Sequence, residues 1–178
     1  ISIPTIPVRM ERNGAVEKQA VEAFSKKIDL TDSNLILQYG AAAVVAVTKE
    51  GKLLMVRQYR NALDRYTLEI PAGALDYPEE PKIECAYREL EEETGFKTEH
   101  LEYLLSINTT IAFCDEAIDV FVARNLIPSK QHLDPDENIQ VEEWELEDLL
   151  KLIYSGTITD GKTAASILAY AVKYGCQK

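Results

Sequence analysis

Residues 71–96 read PAGALDYPEEPKIECAYRELEEETGF. The second half sets glutamates at 89, 91, 92 and 93, directly after Arg88 and directly before a Thr-Gly pair. Four like charges in five residues repel one another unless a cation lies among them. The spacing predicts a helix over 80–94, with Glu79 and Glu80 and a first-turn Pro81 at its start. Ile83, Ala86, Tyr87 and Leu90 recur at helical spacing as its buried stripe, and Gly95 suits a left-handed C-terminal cap. Residues three and four apart share a helix face, so Glu89, Glu92 and Glu93 gather on one side. Such carboxylates suit a hard divalent cation bound through oxygen, and Arg88 is placed to brace one of them. A Glu-rich helix taken alone reads as a solvated face. The surrounding sequence decides.

The 178-residue chain is long enough to bury roughly 70% of its unfolded surface as one domain. Its longest apolar run, AAAVVAV at 41–47, is too short to cross a bilayer, and ISIPTIPVRMERNG at the start has no signal architecture. Cys85, Cys114 and Cys176 lack metal-ligand spacing and read as reduced thiols, so a cytoplasmic location is expected. A catalytic thiol at Cys114 lacks an evident partner in His100 or His132. A net charge of −11 disfavours nucleic acid and anionic membrane as partners. It leaves room for a phosphate ligand whose field is reversed by bound cations.

Outward from the acidic helix, strands and helices alternate. Residues 15–28 fit an amphipathic helix or a strand pair. Strands are expected over 35–48 and 53–59, joined by a KEGK turn, and again over 66–70, 101–107 and 117–124. Two helices close the chain, near 146–155 and 162–174. Interleaved elements of this kind predict an α/β layered domain.

RELEEETGF at 88–96 agrees with R-E-U-x-E-E-x-G-U, U being apolar, at all seven fixed positions. Glu80 lies eight residues before Arg88, and Gly73 follows EIPA. This resembles the Nudix box, and the chain resembles the ADP-ribose and nucleoside-diphosphate-sugar branch of the Nudix hydrolases. The flanks agree over most of residues 40–165: VRQYR at 56–60, FCDE at 113–116, DPDENIQV at 134–141 and TDGKT at 159–163. The resemblance implies an α/β/α sandwich with a mixed sheet over 40–178. It also implies a homodimer in which segment 1–39 takes part.

The resemblance further implies hydrolysis of a nucleoside diphosphate sugar with Mg²⁺, or Mn²⁺ in its place, giving a nucleoside monophosphate and a sugar phosphate. Glu89 and Glu93 are then metal carboxylates, with the Ala72 carbonyl a further ligand. Glu92 is either a third ligand or a partner of Arg88; both belong to the catalytic group. Glu137, in a late acidic loop, is the candidate general base. Arg57, Arg60, Arg65 and Glu69 are candidate substrate contacts. Glu80 either binds metal or favours the helix start, Gly73 permits a tight loop, and Glu91 is expected to be solvated.

Two departures stand out. Six residues rather than five separate Gly73 from Glu80, an insertion that a loop in LDYPE would absorb. Where the ADP-ribose group carries a proline past the box, this chain has Ile111-Ala112-Phe113, which leaves another nucleotide sugar open. A Nudix-fold module that binds nucleotide sugar without cleaving it is the alternative, although such modules usually lose box glutamates. An RNA-cap substrate is disfavoured by the acidic balance.

Overall fold

A computed structural model describes residues 38–111, 114–133 and 138–175. The expected element at 15–28 and the Ala112-Phe113 position lie outside these residues. Ala41–Val47 forms β1, and it explains the layering by itself. All seven of its residues are buried, although successive strand side chains point to opposite faces. Both faces are therefore covered.

β1 continues through a turn, in which the Gly51 N–H donates to the Thr48 carbonyl (3.0 Å), into β2 (Leu53–Arg60) and β3 (Arg65–Glu69). β4 (Ala72–Ala74) follows Pro71 and leads to α1 (Lys82–Thr94). Then come β5 (Phe96–Lys97), β6 (Leu101–Asn108), β7 (Ala117–Ala123), β8 (Ile127–Pro128) and β9 (Ile139–Trp144). The chain ends with α2 (Leu146–Tyr154) and α3 (Gly161–Tyr170), which runs on as a π-helical turn over Ala171–Gly175.

Seven strands make one mixed sheet in the order β3-β2-β1-β7-β6, with β4 beside β1 and β9 beside β2. β1 and β7 run parallel, Ala41 opposite Ile118 through Ala46 opposite Ala123. The other pairs are antiparallel. β9 occupies one edge of β2 along residues 53–58. On its other edge β2 passes from β1 at Leu53 and Leu54 to β3 at 56–60. The chain then crosses from β3 to β1 at Pro71, whose carbonyl accepts from the Val44 N–H at 2.9 Å. The sheet thus forks at residues 70–73, and the fork faces α1.

Ala42, Val44 and Ala46 pack with Cys85, Ala86 and Leu90 of α1. Ala41, Ala43, Val45 and Val47 pack with Leu149, Ile158, Ile167 and Tyr170 from the α2–α3 side. This is the expected α/β/α sandwich. It departs from expectation in detail. Pro81 is the N-cap, in extended conformation, and the helix begins at Lys82. Ile83 is 37% exposed rather than part of the stripe. The buried side of α1 is Cys85, Ala86, Glu89, Leu90, Glu93 and Thr94. Hydropathy overlooks such a face because half of what it buries is charged or polar. No helix among the described residues is long and apolar enough to cross a membrane.

Candidate active site

The buried glutamates of α1 are held by the fork of the sheet. The Ala72 N–H donates to Glu93 Oε2 at 2.9 Å. A Cβ placed on Gly73 would overlap the Glu89 carboxylate. Glycine at 73 is therefore a matter of close approach: the loop backbone and the carboxylate share space that no side chain can enter. Cys85 Sγ lies 3.6 Å from the carbonyls of both Gly73 and Ala74. Burial pushes this thiol up to about 12.

Arg88 organises the remaining carboxylates. Its Nη1 donates to Glu89 Oε1 (2.5 Å) and Glu92 Oε2 (3.1 Å), and its Nη2 donates to the Ala74 carbonyl (3.0 Å). Nε reaches Glu80 Oε1 at 3.3 Å. Burial alone would lower the guanidinium; the hydrogen bond it donates to Glu80 and the charge of Glu89 reverse that and raise it. Glu80 is itself buried and accepts the Asp76 N–H at 2.7 Å. A turn closed by the Glu80 N–H donating to the Tyr77 carbonyl (3.1 Å) takes up the long spacer after Gly73. Glu91 is not simply solvated: it is half-buried and accepts from Ser129 Oγ.

Glu137 lies outside the described residues. The chain leading towards it is fastened to the end of α1. The His132 N–H donates to the Glu92 carbonyl (3.0 Å) and Gln131 Nε2 to the Glu93 carbonyl (2.7 Å).

A second cluster adjoins the first at the end of β3. Glu69 is buried and takes a fork from Arg60, Nε to Oε1 at 2.7 Å and Nη2 to Oε2 at 2.6 Å. Thr67 Oγ1 adds a bond to Oε1 at 2.7 Å, and Lys162 Nζ donates to Oε2. Burial works against ionisation here, yet Arg60 and Lys162 together hold the Glu69 carboxyl down at about 2. Arg60 is raised, first by the bonds it donates to Glu69 and further by the charges of Glu93 and Asp160. Lys162 Nζ also donates to Asp160 Oδ2 (2.8 Å), the N-cap of α3, which accepts from the Thr163 N–H (3.1 Å) as well. Arg60, Lys162 and the Ala72–Ala74 backbone line one cleft of about 630 Å³ together with Asn108 and Glu116.

The structure thus brings together Ala72, Arg88, Glu89, Glu92 and Glu93, and sets Arg60 and Glu69 next to them. Arg65 stands opposite Arg60 in register and donates to Thr159 Oγ1 at 2.8 Å, beside the cleft. Arg57 is not part of it. Its side chain points to the other face of β2 from Arg60 and pairs with Glu142 at 2.5 Å. Lys162 and Asp160 escaped the residue-by-residue reading, although TDGKT carried them. A Gly-Lys pair opening a helix reads as a cap until its partner, 93 residues away, is known.

A glutamate-bearing helix docked on a glycine loop at the fork of a mixed sheet defines a class of α/β sandwich with an oxygen-rich, acidic cleft. The chain belongs to the Nudix family: the NUDIX domain model matches residues 38–165. It is 47% identical over 137 residues to an ADP-ribose pyrophosphatase of Bacillus subtilis, covering 76% of this chain and 71% of that protein. It is 38% identical to a methanol dehydrogenase activator of Bacillus methanolicus over 166 residues, 92% of this chain and 89% of the other. An ADP-ribose pyrophosphatase of Mycobacterium tuberculosis is 31% identical over 173 residues, 94% of this chain and 75% of that one. A crystal structure of an ADP compounds hydrolase shares the fold, with a TM-score of 0.69 at 23% identity over 76% of this chain and 72% of its own.

Proposed function

We propose that this protein hydrolyses the diphosphate bond of ADP-ribose or a related nucleoside diphosphate sugar, releasing a nucleoside monophosphate and a sugar phosphate. The names of the Bacillus subtilis and Mycobacterium tuberculosis relatives support the substrate class. A GDP-mannose pyrophosphatase of Cronobacter sakazakii, 29% identical over 133 residues, keeps other sugars in view.

The observation that carries the reading is the docking of Glu93 and Glu89 on the Ala72–Gly73 backbone. It gathers carboxylate and peptide oxygens, the donor set of a hard divalent cation. As the side chains stand, no three acidic, histidine or cysteine groups among the described residues form a ready coordination shell. The donors fit in kind, and Arg88 is the counter-ion they hold. Glu89, Glu92, Glu93 and the Ala72 carbonyl would hold Mg²⁺ or Mn²⁺. When bound, the metal supplies charge to the diphosphate and acidity to a water. Arg88 keeps the carboxylates spaced, Arg60 faces the diphosphate within the same cleft, and Arg65 and Glu69 support it there. Glu137 takes the proton of the attacking water. A cytoplasmic homodimer, with segment 1–39 at its interface, belongs to the same reading.

A second reading has one observation in its favour: the activator of Bacillus methanolicus aligns with 92% of this chain. On that reading the chain acts as a regulatory module that binds nucleotide sugar without cleaving it. Hydrolysis of ADP-ribose, ADP-glucose, GDP-mannose, UDP-glucose and NADH, each with Mg²⁺ and with chelator, separates the two. Metal-dependent cleavage lost in Glu93→Gln is expected. Binding without turnover of any compound would favour the module.

A further inference from the structure

Glu69 holds two cations that differ in kind. The Arg60 side chain is 42% exposed and opens onto the cleft, whereas that of Lys162 is 13% exposed. Lys162 is itself pinned, because Asp160 Oδ2 accepts from it at 2.8 Å and also from Thr163 Oγ1 at 2.5 Å. Thr163 is wholly buried, and its Oγ1 accepts the Ile70 N–H at 3.0 Å. Lys162 is therefore a fixture of the fold, tied to the residue that follows Glu69.

A buried carboxylate stripped of its counter-ion is strongly unfavourable. Were Arg60 the sole cation on Glu69, turning it towards a phosphate would strand that carboxylate. With Lys162 in place, Arg60 turns while Glu69 stays neutralised by its second cation. We infer that Lys162 is a positioning residue for substrate: it holds Glu69 so that Arg60 is free to engage the diphosphate.

This inference rests on the role proposed for Arg60, and its test reads binding apart from turnover. ADP-ribose affinity is measured by calorimetry in the Glu93→Gln background, with and without Lys162→Met, Lys162→Arg and Arg60→Ala. Lys162→Met is expected to weaken binding about tenfold or more, as loss of a charged hydrogen bond does. Lys162→Arg should recover most of it. Once Arg60 is alanine, Lys162→Met should add little, because the two act as one unit. The same variants with Glu93 intact should show the loss in KM and not in kcat. Losses that add independently, or a Lys162→Met that binds like its parent, would overturn the inference. If Lys162→Met does not fold, Lys162→Gln is read in its place. An enzyme that binds ADP-ribose but cleaves nothing defeats the hydrolase reading alone, and the affinities still decide on Lys162.

Discussion

Ala72 gives its backbone N–H to Glu93 across 2.9 Å, so one carboxylate of α1 closes the fork of the sheet. Glutamine at 93 keeps an acceptor oxygen for that N–H and removes only the charge. Glu93→Gln is therefore expected to melt within a few degrees of wild type. Its metal-dependent hydrolysis should fall at least about a hundredfold. Calorimetric melting and initial rates on one preparation check both halves.

Gly73→Ala puts a methyl where the Glu89 carboxylate lies. The side chain must leave its place beside Arg88, at a cost of about 1–3 kcal/mol in stability. Mn²⁺ affinity, followed by titration calorimetry, is expected to drop while the far-UV spectrum is retained. Unchanged Mn²⁺ affinity would remove Glu89 from the site.

Arg88→Lys tests the guanidinium as a brace. A lysine offers one point charge where the fork meets Glu80, Glu89 and Glu92 together. Allowing for an arginine side chain 24% exposed, the loss should be about 2 kcal/mol. Urea unfolding at neutral pH measures it.

Acid should act through Glu69. Its carboxyl is lowered from an ordinary 4.5 to about 2, so it adds stability that is present above pH 4.5 and lost as pH falls towards 2. Glu69→Gln is expected to lower neutral-pH stability by about 3 kcal/mol and to flatten its decline between pH 5 and 2. Urea midpoints across that range supply the comparison. An acid decline as steep as that of wild type would assign it to other carboxylates.

The elements most legible beforehand were those whose signal is local. AAAVVAV lay in a stretch whose aliphatic and β-branched content read as strand, and the spacing of Glu89, Glu92 and Glu93 gathered them on one side of a helix whatever lay opposite. Ile83 misled because apolar residues at helical spacing were counted, whereas α1 turns carboxylates inward. β4 is three residues long and follows a proline, too short to show a period. β9, IQVEEW, carries two adjacent glutamates, and Glu142 among them is explained by Arg57, 85 residues away. Lys162 was hidden for the same reason, since a side chain matched only through the tertiary fold leaves no trace in neighbouring residues.

The thiol of Cys85, wedged against two peptide carbonyls and pushed up to about 12, is no nucleophile at neutral pH. Alkylating reagents should pass it by. Cys114 is only half-buried and lies two residues from Glu116 of the cleft wall. With Cys176 replaced by serine, a maleimide fluorophore would therefore settle on Cys114 by default. The protein then carries its own attachment point for an optical reporter of cleft occupancy, with the chemistry beneath the acidic helix left untouched.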